Sequence, residues 1–169
     1  VLIENDANCF AISEAFDGAG SKAHTVFGVI LGTGVGAGIV IGKKIHKGKN
    51  KIAGEWGHNP LPWANEGELP GKKCYCGRTG CLETFISGPA IEREFKNLHG
   101  RNLKMKNIVK ESGAGNLKAE QVIKNLEDRL ARALAHVINI LDPDSIVLGG
   151  GLSNICLLYT SDAADEHGC

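Results

Sequence analysis

Val26-Phe27-Gly28-Val29-Ile30-Leu31-Gly32-Thr33-Gly34-Val35-Gly36-Ala37-Gly38-Ile39-Val40-Ile41 is the stretch on which the fold turns. Val26–Leu31 is a continuous apolar run of the kind that forms a buried strand, and Gly36–Ile41 reads as a second strand. The glycines between them allow positive φ and let anionic oxygens approach backbone N–H groups, while Thr33 adds a hydroxyl donor. That chemistry suits a nucleotide phosphate. A plain hairpin has the same look, because the turn is neither a P-loop nor a dinucleotide fingerprint and no predicted helix follows it directly. Gly42-Lys43-Lys44 then supplies a hairpin turn into Ile45-His46-Lys47.

Upstream, Val1–Glu4 reads as the end of a strand, followed by Asn5-Asp6-Ala7-Asn8, a cluster that favours turns and helix N-caps. Cys9–Phe16 has the apolar spacing of a short helix, which Gly18 and Gly20 stop. Downstream, residues 48–80 hold few periodic segments and many Gly, Pro and Lys, so a stretch of that length needs something other than a core to hold it. Leu82–Ile86 starts a helix; Ser87-Gly88-Pro89 breaks it and begins another, with Ser87 near the N-cap and Pro89 in the first turn. The longest helix spans Leu117–Leu141, with Ile123, Leu126, Leu130, Leu134, Val137, Ile138 and Leu141 on one stripe. Asp142-Pro143 ends it, and Ser145–Leu148 is a short buried strand running into Gly149-Gly150-Gly151.

Cys74-Tyr75-Cys76-Gly77-Arg78-Thr79-Gly80-Cys81 places three thiols within eight residues. Three cysteines cannot all pair, and Cys74 and Cys76 are too close in sequence for a comfortable disulfide. Three thiolates need one more donor for a closed tetrahedral zinc site, and His58 in Gly57-His58-Asn59-Pro60 is the best candidate, against the alternatives of an unrelated histidine and of thiols that merely pack. Four protein donors leave no open position, so such a zinc is structural. Asp6, at a strand-to-helix junction, is either a helix cap or a general base toward a substrate hydroxyl. Glu55 and Glu83 lie two or three residues from the metal donors, where a folded clip would hold them rigidly.

Composition excludes several classes. Apolar residues make up 43% and charged residues 22%, as in an ordinary globular protein. Nineteen basic and nineteen acidic side chains balance, so charge gives no reason to expect a nucleic acid or an acidic membrane as partner. No apolar run is long enough to span a bilayer and no signal-type segment opens the chain, which makes the cytoplasm the default compartment.

Taken together, Glu4-Asn5-Asp6-Ala7-Asn8, Leu31-Gly32-Thr33-Gly34-Val35-Gly36-Ala37-Gly38, Gly54-Glu55-Trp56-Gly57-His58 and Cys74-Tyr75-Cys76-Gly77-Arg78-Thr79-Gly80-Cys81-Leu82-Glu83 resemble the ROK kinases in order and spacing. The resemblance covers essentially residues 1–154. It implies an actin/hexokinase-like, ribonuclease H-type α/β fold, present mainly as the C-terminal domain with an inserted zinc loop at about residues 54–83. It implies ATP-dependent phosphorylation of a hexose hydroxyl, with Mg²⁺, by an enzyme that is usually a homodimer. Asp6 would be the general base; Asn5, Glu55, His58 and Glu83 would contact the sugar. Gly32, Thr33 and Gly34 would lie against the phosphates, and Gly149 and Gly150 against the adenosine side. His58, Cys74, Cys76 and Cys81 would hold a structural zinc, with the second ring nitrogen of His58 turned to the sugar. The surroundings of Trp56 and Trp63 look most like the fructokinase or manno(fructo)kinase branch; glucose, mannose and N-acetylhexosamine kinases, and sugar-responsive transcriptional regulators of the same family, are the alternatives. The family's N-terminal domain and its last helices are missing from the sequence, so the chain alone is expected to be an inactive portion of the enzyme. The segment Cys156–Cys169 reads as translated sequencing adapter rather than as part of any domain.

Overall fold

The computed structural model of the chain describes residues 4–153. The strand expected at residues 1–3 and the adapter reading of residues 156–169 lie outside the described residues, and Glu4 itself belongs to no strand. Helix α1 spans Asp6–Phe16, starting three residues before the expected Cys9. Its N-cap is Asn5, whose Oδ1 accepts the Asn8 N–H at 2.7 Å. Asp6 is therefore the first helical residue and not the cap.

Strands β1 (Thr25–Leu31), β2 (Val35–Ile41), β3 (Lys44–Ile45) and β4 (Ser145–Gly149) form one sheet in the order β3-β2-β1-β4. β1 and β2 are an antiparallel hairpin with Leu31 opposite Val35. β4 runs parallel to β1, from Val26 beside Ser145 to Ile30 beside Gly149. A parallel neighbour requires a crossover, and α2 (Glu83–Ile86), α3 (Gly88–His99), α4 (Met105–Gly113) and α5 (Leu117–Leu141) supply it.

The period of two along β1 and β2 separates two unequal faces. Phe27, Val29, Leu31, Val35 and Ala37 face the main core with Phe95, Ile108 and the seam of α5. That seam is Ala119, Val122, Ile123, Leu126, Leu130, Ala133 and Val137, continued by the half-buried Leu134 and Leu141. Ile138, placed on the stripe by the sequence, is 47% exposed, because it sits about 100° round the helix from Val137. Helix α4 was not anticipated: Met105–Gly113 buries only Ile108, too sparse an apolar signal to announce a helix.

The opposite face is covered by α1 and built from small residues. Ala11 stands where side chains of Gly28 and Gly38 would be, with a Cβ at either position falling 2.7 and 2.8 Å from the Ala11 methyl. Ala7 lies similarly over Gly36. Only glycine lets helix and sheet approach this closely.

Residues 48–80 hold no helix or strand beyond a 3₁₀ turn at Trp56–His58. Isolated bridges, Pro60 to Cys81 and Lys73 to Thr79, fold the segment back on itself.

Candidate active site and metal centre

The sequence-predicted residues gather where β1 turns into β2. The Gly32 N–H donates to the Gly34 carbonyl at 3.0 Å, closing the turn. Two further bonds pin it from outside: Gly88 N–H, at the start of α3, donates to the Gly32 carbonyl at 2.8 Å, and Leu152 N–H donates to the Leu31 carbonyl at 3.1 Å. An open cleft of about 710 Å³ runs along this corner, lined among others by Gly32, Thr33, Gly88, Lys104, Lys106 and Leu152. That volume is in the range of small-molecule sites. The N-terminus of α3 and the two lysines give one side of the cleft the polarity a phosphate needs. Lys104 is shared with Glu92, 3.0 Å away, whose other oxygen accepts the Met105 N–H and caps α4.

Gly149 and Gly150 stand behind this cleft. Gly149 is packed against the Phe10 ring, and Gly150 takes φ +88° beneath the Leu31 carbonyl. The next residues, Gly151 and Leu152, line the cleft.

β3 covers only the far end of the outer edge of β2, through Val40 and Ile41 and a bond from His46 N–H to the Ile39 carbonyl. The near end would leave two backbone donors facing outward, which the chain must satisfy. Ala37 N–H donates to the Gly54 carbonyl at 3.2 Å, and Val35 N–H donates to Glu83 Oε2 at 3.0 Å. Gly57 then lies flat against the Val35 carbonyl. One strand edge thus anchors the Gly54–His58 segment, with Glu55 and His58, and also Glu83. On the α1 side of the same strand end, Ala7 over Gly36 brings in Asn5 and Asp6, both exposed. Asp6 Oδ1 accepts the Ala7 N–H at 2.9 Å. Upstream, Glu4 accepts a hydrogen bond from Asn8 Nδ2 and pairs with Lys47; the Lys47 contact holds its carboxyl below the usual range.

The metal quartet comes together as expected. His58, Cys74, Cys76 and Cys81 have their donor atoms within 4.8 Å of one another. Cys74 Sγ is 3.5 Å from His58 Nδ1, and Cys76 Sγ is 3.6 Å from Cys81 Sγ. A tetrahedral zinc at ordinary bond lengths spaces sulfur from sulfur by about 3.8 Å and sulfur from imidazole nitrogen by about 3.6 Å, so the donor set fits that ion. The thiols are mismatched without a cation. Burial pushes Cys81 up to about 12, with Cys76 and Cys74 adding to it, while a backbone N–H of Arg78 pulls Cys76 down. A metal would resolve this by taking three thiolates at once.

His58 Nε2 lies 2.9 Å from the Tyr75 hydroxyl, a residue 82% exposed. The ring nitrogen expected to meet a sugar hydroxyl thus meets a phenol hydroxyl in this structure. Sequence reading also missed a cluster that ties the excursion between the metal donors to α5. Glu68, whose side chain is only 5% exposed, accepts from Arg129 and Arg132, each at 2.8 Å. Arg129 also pairs with Glu94, and Arg132 donates to the Pro62 and Trp63 carbonyls. Two arginines three residues apart on a helix were the available signal; their acidic partner, some sixty residues away, was not.

A glycine turn braced by a helix N-terminus, and a cluster of three thiols and an imidazole on the same strand edge, define a class: an α/β domain whose long loop carries a candidate metal clip. The chain belongs to the ROK family, matching it over residues 1–164. It is 42% identical over 163 residues to an N-acetyl-D-glucosamine kinase of Photobacterium profundum, covering 94% of this chain and 54% of that protein. Among solved structures it resembles a ROK hexokinase from Thermus thermophilus (TM-score 0.82, 33% identity, 91% of this chain and 51% of that one). It also resembles a ROK family glucokinase from Streptomyces griseus, solved with glucose and AMPPNP (TM-score 0.80, 31% identity, 92% of this chain and 53% of that one). The fold is the actin-like α/β fold of these proteins, and the chain spans about half the length of the relatives it matches. No helix among the described residues is long and apolar enough to cross a membrane.

Proposed function

We propose that this chain is the sugar-binding and metal-clipped half of an ATP-dependent hexose kinase, with N-acetyl-D-glucosamine as the first sugar to test. The observation that carries this is the convergence on one strand end: Asp6 through Ala7 on Gly36, Glu55 and His58 beside Ala37 and Val35, Glu83 on the Val35 N–H, and Thr33 in the adjoining turn. Asp6 takes the proton from the sugar hydroxyl that attacks the γ-phosphorus, and the bond from that phosphorus to ADP breaks. Asn5, Glu55, His58 and Glu83 orient the sugar by its other hydroxyls. Gly32 and Thr33 hold the phosphates against the N-terminus of α3. Mg²⁺, when bound with the nucleotide, neutralises charge developing on the transferring group. Zinc would be held by His58 Nδ1, Cys74, Cys76 and Cys81, and its work is to keep the Glu55 and Glu83 segments in register. Positioning of this kind and one well-placed carboxylate meet the needs of phosphoryl transfer.

The lean toward fructose drawn from the Trp56 and Trp63 surroundings gains no support from the relatives, which are named for N-acetyl-D-glucosamine, hexose and glucose. The kinase reading is favoured over the regulator alternative because Asp6 and the Thr33-Gly34 turn are both present in the sequence.

Calorimetric titration of the zinc-loaded chain with N-acetyl-D-glucosamine, glucose, mannose and fructose ranks the sugars directly. In the protein extended to the length of its relatives, Asp6→Asn should leave sugar affinity within a few-fold and cut kcat by ~10²–10⁴. An unchanged kcat removes Asp6 from the chemistry.

A further inference from the structure

Glu83 does more in this fold than stand at the mouth of a sugar site. Its Oε2 accepts the Val35 N–H at 3.0 Å, the last outward donor on the near edge of β2 and the residue that closes the Gly32–Gly34 turn. The same oxygen lies directly over Gly34. A Cβ built on Gly34 would stand 2.7 Å from Glu83 Oε2 and 3.6 Å from its Cδ, and would meet no other atom within 4 Å. Gly34 holds no left-handed φ, so alanine fits its backbone and the absent methyl is space kept for the carboxylate. Gly32, two residues earlier, has nothing within 4 Å of its would-be Cβ.

We propose that Glu83 is a positioning residue for the phosphate turn, so that one carboxylate serves both the sugar side and the nucleotide side. This rests on reading Gly32–Gly34 as the phosphate turn and Glu83 as a sugar ligand. Oε2 braces β2, so a sugar hydroxyl that draws the same carboxylate loosens or tightens the turn through Val35. Ligand at either site then changes affinity at the other, and by linkage the effect is reciprocal. Glu83 belongs to the four-residue helix α2, held by the Thr84 hydroxyl donating to the Cys81 carbonyl at 2.8 Å and by Arg93 donating to the Thr84 carbonyl at 2.7 Å. The brace is thus fixed at its base to a metal donor and at its tip to the turn.

Amide hydrogen exchange of the ¹⁵N-labelled, zinc-loaded chain reads the contact at Val35 without any need for activity. Glu83→Ala removes the acceptor and Gly34→Ala pushes it away; each should lower protection at Val35 by about ten- to a hundredfold, the scale of a hydrogen bond to a charged group. Gly32→Ala, in the same turn with no atom to meet, should change it less than threefold. Wild-type protection at Val35 in both the Glu83 and Gly34 variants overturns the proposal. The second arm is N-acetyl-D-glucosamine affinity with and without AMPPNP: a shift of at least fivefold in the wild type, abolished by Gly34→Ala, supports the shared carboxylate, and two ligands that bind independently in the wild type overturn it. A wild-type chain that binds neither ligand sinks the proposed function instead, while the exchange result still decides whether Glu83 braces the turn.

Discussion

The two sides of the β1–β2 hairpin are held by opposite means. On the α1 side, alanines press onto glycines and nothing polar is needed; specificity comes from the absence of side chains at Gly28, Gly36 and Gly38. On the outer edge, residues 54–83 bury little and are held by directed contacts: the His58–Cys74–Cys76–Cys81 cluster, two backbone bridges, a carboxylate on Val35 and the Glu68–Arg132 cluster. The first kind of packing fails when anything is added, the second when anything is removed.

The largest effect should follow from removing a donor. Cys76→Ser should abolish stoichiometric zinc, measured by elemental analysis, and melt the 54–83 segment, because binding free energy at such sites is folding free energy of about 10–16 kcal/mol in small zinc domains. The hairpin and α1 should keep their amide protection. A collapse of both regions together would erase the distinction between them, and full zinc occupancy would remove Cys76 from the ligand set.

Next in size is Glu68. Burial alone would raise its carboxyl, but the hydrogen bonds from Arg132 and Arg129 hold it down, from the ordinary 4.5 to about 2. A depressed carboxylate stabilises fully above its unfolded value, and the contribution drains away as pH falls from about 4.5 toward 2, on the order of 3 kcal/mol in all. Glu68→Gln leaves two half-buried arginines short of a charge, with Glu94 and Asp128 still paired to them, and should cost about 2–4 kcal/mol near neutrality. Denaturant unfolding of both proteins across pH 2–7 checks this: the gap should close toward the acid end, and a gap independent of pH would show that the Glu68 charge is not what holds the excursion.

Smallest is Gly28→Ala. The added methyl meets the Ala11 Cα at 2.8 Å, a backbone atom that cannot turn aside, so α1 must lift at a cost of about 1–3 kcal/mol. Zinc content should not change. A neutral substitution would mean that α1 rests on the sheet more loosely than these contacts state.

What the sequence disclosed divides along the same line. The apolar periods gave α5 its bounds at Leu117–Leu141 and the hairpin its strands, and the thiol spacing foretold the clustering of Cys74, Cys76 and Cys81 with His58, because local pattern and local chemistry encode both. The helix cap fell on Asn5 and not on Asp6, because either side chain can cap a helix and only the backbone angles decide which does. Gly36 and Gly38, quoted with the phosphate turn, prove to serve the seat of α1; a glycine records closeness without recording to what. The Glu68 cluster was out of reach, its partners lying about sixty residues apart with nothing periodic between them.

Arg132 has one more consequence. Its grip on the Pro62 and Trp63 carbonyls ties down Trp63, which takes φ +49°, is 61% exposed and sets its ring edge-on to His136. The only other tryptophan, Trp56, is seven residues away, buried edge-on against Phe27. The chain therefore carries two fluorophores of opposite solvent character, one fixed to the core and one riding on the ion cluster. Red-edge emission and its quenching by acrylamide follow the excursion, and blue-edge emission follows the core, so one cuvette separates the order in which the two come apart.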